Sequence, residues 1–320
     1  MSIVNRRLIL VLGLIAAAAV VYLLDTQRAS AGTSIGGSAL VPIVEPHVTE
    51  PGATSDEFDR GLLWRIDGGT SSPSYLFGTM HVEDTRINEL PAPVMDAFNN
   101  SNSLTTEALL DVEELLAVGT ELLLTDGTTL EELIGPDLFV QVTQALETRG
   151  LLPQIAALLK PWAIAVLLSK PRTQSGMFLD RRLYELAQQR GKSVFGLETL
   201  SEQLQVFNAM SIDDQVTLLE ETLTQIDNIP EIIEKLTQAY LDRDLATLSE
   251  LANQQFTQSR AHASLKQGLL FDRNLKMMER MQPRISEGNA FFAVGALHLP
   301  GPEGLLSLLQ RQGYALTRIY

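Results

Sequence analysis

Two short stretches share one frame: YLFGTMHV at 75–82 and FFAVGALH at 291–298. Each is an apolar run that reaches a glycine. In each, a histidine follows three residues later, His81 after Gly78 and His298 after Gly295. The chain has four histidines, so this frame takes half of them. A neutral imidazole carries one N–H and one lone pair, and can move a proton or bind a metal. Two other strand-like runs end in carboxylates, SLTTE at Glu107 and SVFGLE at Glu198. If these four ends are neighbours, two imidazoles and two carboxylates meet in one cleft. That is a usable set for a divalent cation. Such an ion lowers the pKa of its bound water to ~7, and one glutamate could instead stay off the ion as general base. Read from the residues alone, other roles stay open. Gly-x-x-His is a short pattern, each histidine could be a hydrogen-bonded strand-end residue, and Glu107 and Glu198 could be surface or cap carboxylates.

The elements that must position these residues are legible in outline. Leu62–Ile66 and Ser74–Gly78 flank DGGTSSPS, a turn-rich stretch, and predict a β-hairpin. A helix is expected from near Pro91 to Phe98, and a strand over 103–110. From Val112 to about Gln254 apolar residues recur at spacings of three and four, which predicts helices. KSVFGLET at 192–199 interrupts them as a short strand, after a helix ending at Gly191. A helix follows from about Glu202. A long helix is expected over 261–281, a buried strand over 291–297, a helix over 301–313 and a last strand over 314–320. Strands at both ends and one in the middle, with helices between, make an α/β chain with a helical insertion. In open α/β sheets functional groups gather at the carboxyl ends of strands, where glycines let backbone turn sharply or approach a ligand. PWAIAVLLS at 161–169 is apolar throughout and too short to span a bilayer, so it predicts a buried helix. Asp180 reads as an N-cap or first-turn helix acid, Glu202 and Gln203 as ordinary first-turn residues with steadying of the cleft as the alternative, and His262 as a surface or packing residue.

Composition narrows the class. The formal net charge is −15, which opposes binding to nucleic-acid phosphates and to anionic lipid heads. Cysteine is absent, which removes disulfides, thiolate zinc sites and cysteine nucleophiles. Arg6 and Arg7 precede an uncharged apolar run from Leu8 to Leu24, ended by Asp25. That pattern is an export signal, either cleaved near Ala29-Ser30-Ala31 or kept as an anchor. Three segments follow: 1–25 as signal peptide or membrane anchor, 26–57 as a Ser/Gly/Thr/Pro-rich linker holding His47, and 58–320 as the folded body. The expected location is exported, in the periplasm or cell envelope, with membrane contact only through the N-terminal segment.

The stretches LLWRI, YLFGTMHV, GLETLSEQ, FDRNLKMMERM and FFAVGALHLPGPEGLLSLLQRQGY, in this order over 58–320, resemble the TraB/PrgY/GumN family, which is related to the Tiki proteases. The resemblance implies a sheet built from two related βα halves, flanked by helices, with a large helical insertion. It implies that His81 and His298 are the paired histidines, Glu198 the acid of the Gly-Leu-Glu segment, and Glu107 the acid after the first Gly-x-x-His. Arg273, in an Arg-Asn pair, would hold a carboxylate or stabilise an oxyanion. From the residues alone it could equally be a helix-surface arginine pairing with Glu279 or Asp272. The Tiki relatives are membrane-associated metal-dependent proteases that use Mn or Co, so the cofactor expected here is a divalent metal, Mn or Co before Zn.

Three functions compete at this stage. The first is an exported metal-dependent hydrolase of peptides or small molecules, with metal ligands His81, Glu107, Glu198 and His298, and Arg273 assisting. The second is a non-catalytic metal- or peptide-binding envelope protein. The third is a structural partner that uses its helices as an interaction surface.

Overall fold

The computed structural model describes residues 57–109, 118–170, 178–254 and 260–320. The expected leader, the linker and its His47 lie outside them, as does the side chain of His262. A single six-stranded sheet forms the centre: β1 (Leu63–Asp67), β2 (Ser74–Thr79), β3 (Ser103–Ala108), β4 (Ser193–Glu198), β5 (Ala290–Gly295) and β6 (Ala315–Arg318), in the order β4-β3-β5-β2-β1-β6. The expected hairpin is present, with β1 antiparallel to β2 and Leu63 opposite Phe77. β6 adds to the other edge of β1, also antiparallel. β2, β5, β3 and β4 run parallel to one another.

This order follows from the residues. β5 reads AFFAVG, and its first five residues are all buried. Continuous apolar sequence suits a parallel strand covered on both faces, and β5 sits between β3 and β2. Phe291 on β5 packs edge-on against Phe98 and at a tilt against Phe77. The edge strand β4 is more exposed until Leu197 and Glu198. The expected pairs β2 with β3 and β4 with β5 do not lie as separate halves, since β2 lies beside β5 and β3 lies between β4 and β5.

Helices between the strands supply the flanks. α1 (Ala92–Asn100) begins after Pro91 as expected. α2 (Pro161–Leu168) has all eight residues buried, with Trp162 stacked on Phe207. α3 (Leu179–Gln189) packs on β3 and β4 and ends before Gly191, whose φ of 65° suits a glycine C-cap. α4 (Leu200–Asn208) starts two residues before the expected Glu202, because Thr199 and Glu202 form a capping box directly after Glu198. α5 (Ile229–Leu241) and α6 (Leu245–Asn253) pack on each other.

The long C-terminal helix runs further than the sequence suggests. Arg260–Lys266 leads into a π-helical turn, Gln267–Phe271, and continues as α7 (Asp272–Glu287). α8 (Leu305–Arg311) is shorter than expected, since residues 301–304 form turns, with Gly301 at φ 86°. Among the described residues no helix is long and apolar enough to cross a membrane.

Candidate active site

The four parallel strands bring the four sequence-selected residues to one edge of the sheet. Glu107 lies at the end of β3 and Glu198 at the end of β4. His81 follows β2 by two residues, and His298 closes a 3₁₀ turn, Ala296–His298, after β5. The surface or cap reading of the acids fails, since Glu107 and Glu198 are 6% and 5% exposed. The surface reading of Arg273 fails as well, because it is 2% exposed and faces the sheet from α7 rather than Glu279 or Asp272.

Arg273 bridges the two acids. Its Nη2 donates to Glu107 Oε2 at 2.6 Å, and its Nε donates to Glu198 Oε2 at 2.9 Å and Oε1 at 3.2 Å. Nη1 donates to the Leu269 carbonyl at 3.2 Å, inside the π-helical turn. A π turn frees carbonyls from the regular ladder and recurs at functional sites. Gln203, from the first turn of α4, donates to Glu107 Oε2 at 3.3 Å and Glu198 Oε2 at 3.5 Å. It therefore belongs to the cluster, as the cleft-steadying alternative for 202–203 has it, whereas Glu202 caps α4 and pairs with Arg280.

The second glycine of the repeated frame now has a reason. Gly295 N–H donates to Glu107 Oε1 at 2.7 Å, and a Cβ at that position would lie 3.1 Å from the same oxygen. The carboxylate needs the backbone bare there. Gly78 serves packing instead: a Cβ there would meet Ala296 at 3.1 Å and Leu299 at 3.2 Å.

His298 is fully buried, and its orientation is defined. Asn274 donates from Nδ2 to the Glu303 carbonyl at 2.8 Å, so its Oδ1 is the acceptor facing His298 Nδ1 at 2.7 Å. The ring proton thus sits on Nδ1, and Nε2 carries a lone pair. Nε2 is buried without a hydrogen bond, 3.6 Å from Glu107 Oε1. His81, Glu107 and His298 line a cavity of about 40 Å³ walled by Met80, Leu236, Leu248 and Leu297. Glu198 does not line it, because Arg273 and Gln203 engage its carboxylate.

Electrostatics follow from this layout. Burial alone would raise Glu107, but Arg273 first, then His298, His81 and the Gly295 N–H, bring it down to about 2. Burial raises Glu198 against the pull of Arg273. Burial would lower Arg273, and the two glutamates reverse that and raise it. Burial lowers His298 to about 4, against the pull of Glu107. At neutral pH His298 is therefore uncharged, and Arg273 is the cation that keeps Glu107 ionised.

The sequence profile of the TraB/PrgY/gumN family matches residues 62–318, from β1 into β6. The chain belongs to this family. Its similar relatives include metalloprotease TIKI1 of Danio rerio, 25% identical over 309 residues, which covers 80% of this chain and 62% of that protein. Metalloprotease TIKI2 of Danio rerio is 26% identical over 313 residues, covering 80% of this chain and 60% of that protein. A metalloprotease TIKI homolog of Amphimedon queenslandica is 23% identical over 342 residues, with 88% and 67% covered. The chain thus spans about three-fifths of the two fish relatives. No solved structure matches it.

The relatives' names suggest a divalent metal, and the cavity can be tested for one. Among the described residues no group of three or more His, Asp or Glu side chains is gathered closely enough to hold a metal ion. The donor chemistry nevertheless fits. A buried imidazole lone pair and a carboxylate oxygen face each other with no proton between them. Two acceptors so placed repel unless a cation or a donor lies between. Two carboxyl groups against one guanidinium also leave room for one more positive charge.

Proposed function

We propose that this TraB/PrgY/gumN-family chain is a metal-dependent hydrolase that cleaves peptide bonds outside the cytoplasmic membrane. The observation that carries this reading is the unbonded Nε2 of buried His298, 3.6 Å from Glu107 Oε1, in a cavity that His81 also lines. His298, Glu107 and His81 are the residues that would hold a divalent ion, Mn or Co before Zn. Such an ion supplies Lewis acidity and a bound water whose pKa falls to ~7.

The chain's own residues do the rest. Asn274 keeps the Nδ1 proton of His298 in place and aims the Nε2 lone pair at the cavity. Arg273 and the Gly295 N–H hold Glu107 as a carboxylate rather than an acid. Glu198 and Gln203 hold Arg273 and Glu107 in that arrangement. Met80, Leu236, Leu248 and Leu297 give the cavity an apolar wall, and a low-dielectric wall strengthens the charge interactions beside it. An exported location is supported by the Arg6-Arg7 flank and the apolar run that follows. The expected partner is a peptide or small-molecule substrate, since the acidic chain opposes nucleic acid.

The test is calorimetric titration of metal-free, full-length protein with Mn, Co and Zn chlorides. One ion per chain is expected, with His298→Ala and Glu107→Gln weakening it at least tenfold while the fold is kept. Cleavage of a broad peptide library should require the ion. Metal binding by a His81→Ala/His298→Ala variant equal to that of the unaltered protein would overturn the reading. Tight binding with no cleavage would leave a non-catalytic metal-binding protein in its place.

A further inference from the structure

The last rung between β1 and β2 is half replaced. Leu62 and Gly78 stand opposite each other, one step beyond the Leu63–Phe77 pair, and Gly78 N–H donates to the Leu62 carbonyl at 2.8 Å. A regular antiparallel rung would return a bond from Leu62 N–H to the Gly78 carbonyl. Leu62 N–H instead donates to the Tyr320 carbonyl at 2.7 Å. The donor that reaches the Gly78 carbonyl is a side chain, the hydroxyl of Tyr240, at 2.8 Å. Burial pushes that hydroxyl well above its usual pKa, so it keeps its proton and stays a donor. Tyr240 is itself buried on α5, one turn after Leu236, and residues four apart share a helix face. Leu236 is one wall of the cavity, and Leu248, on α6, is another. The corner between α5 and α6 is tied to the same end of the sheet. There Gly61 N–H donates to the Arg243 carbonyl at 2.9 Å, and Ala246 N–H to the Asp59 carbonyl at 3.0 Å. From Gly78 the chain runs through Thr79 to Met80 and His81, which both line the cavity.

One hydroxyl therefore joins a wall-bearing helix to the strand end that carries the first histidine. We propose that Tyr240 is a positioning residue: its hydroxyl takes the place of the missing ladder donor, fixes the peptide plane after Gly78, and so sets Met80 and His81 against the leucine wall of α5 and α6. Without that hydroxyl a buried carbonyl is left without a donor, and the strand end shifts to find one. The placement of Met80 and His81 stands on the Tyr240 geometry alone. Its consequence for metal binding rests on the reading of the site proposed above.

The test uses full-length Tyr240→Phe, which keeps the ring and removes only the hydroxyl. Val142→Ala serves as the comparison, since Val142 is fully buried and does not line the cavity. Urea unfolding of both variants shows how much stability each has lost. In metal-free protein, ¹³C signals of the methionine methyls and histidine rings are assigned by their loss in Met80→Leu, His81→Gln and His298→Gln. The Met80 and His81 signals should move in Tyr240→Phe and stay in place in Val142→Ala. His298, which Asn274 holds from another helix, should keep its signal in both. Titration with Mn chloride should give a dissociation constant about fivefold weaker in Tyr240→Phe, the worth of one neutral hydrogen bond, and unchanged in Val142→Ala. Lowered stability with the Met80 and His81 signals unmoved, or equal movement of them in Val142→Ala, would overturn the proposal. An unchanged Mn dissociation constant in Tyr240→Phe would overturn it as well. If the unaltered protein takes up no metal, the hydrolase reading fails, and the Met80 and His81 signals alone decide the role of Tyr240.

Discussion

At the scale of single residues, Arg273 is the side chain on which the site depends. It is buried, and it is shared by two carboxylates that would otherwise face each other. Removing one member of a buried charge cluster costs about 3–5 kcal/mol, because the remaining charge is stranded. Arg273→Met should lower stability by about that much in denaturant unfolding. Adding Glu198→Gln should recover part of it, since one stranded charge is then gone. A double variant less stable than Arg273→Met would show that the acids are not strained by losing the arginine. The Arg-Asn pair was visible as a motif. Its two tasks were not, because α7 sends Arg273 to the acids and Asn274 to His298, and a helix's rotation is set by what it packs against.

At the scale of elements, the two Gly-x-x-His frames touch. Gly78 on β2 faces Ala296 and Leu299, in the turn that carries His298. A methyl group there would press on Ala296 at 3.1 Å and Leu299 at 3.2 Å, which must give way slightly, so Gly78→Ala should cost about 1–3 kcal/mol by overpacking. The same change should loosen metal binding by pushing the two histidine turns apart, whereas a fall in stability with unchanged affinity would mean that the turns move together. The strands, their order along the chain and the buried helix α2 were legible from period and apolar continuity. Their neighbours in the sheet were not. β3 pairs with both β4 and β5, which begin 85 and 182 residues after its last residue, Ala108, and no local pattern encodes such a pairing.

At the scale of the whole molecule, burial of the site makes stability depend on pH. The unfolded His298 ring takes up a proton near 6.5, and the folded one only near 4. Between those values the unfolded chain binds more protons, so stability rises with pH. The contribution is full above pH 6.5 and is lost as pH falls toward 4, by roughly 3 kcal/mol. Glu107 acts lower: its contribution is present above pH 4.5 and is lost as pH falls toward 2. Glu198, raised by burial, works in the opposite sense and gives up stability as pH rises through its folded value. The urea midpoint should therefore drop between pH 6.5 and 4.5, and His298→Gln should flatten that drop. Equal slopes in the two proteins would remove His298 as its source.

The amino-acid sequence by itself determined the alternation of strands and helices, the acidic charge, the absence of thiol chemistry and the residues able to do chemistry. These follow from period, composition and side-chain type, which are local properties. Only the tertiary structure decided that Glu198 answers to Arg273 rather than to the cavity, that Gln203 stands among the site residues, and which nitrogen His298 presents. Those are matters of distance between strand ends far apart along the chain, and they exist only once β2, β5, β3 and β4 lie side by side.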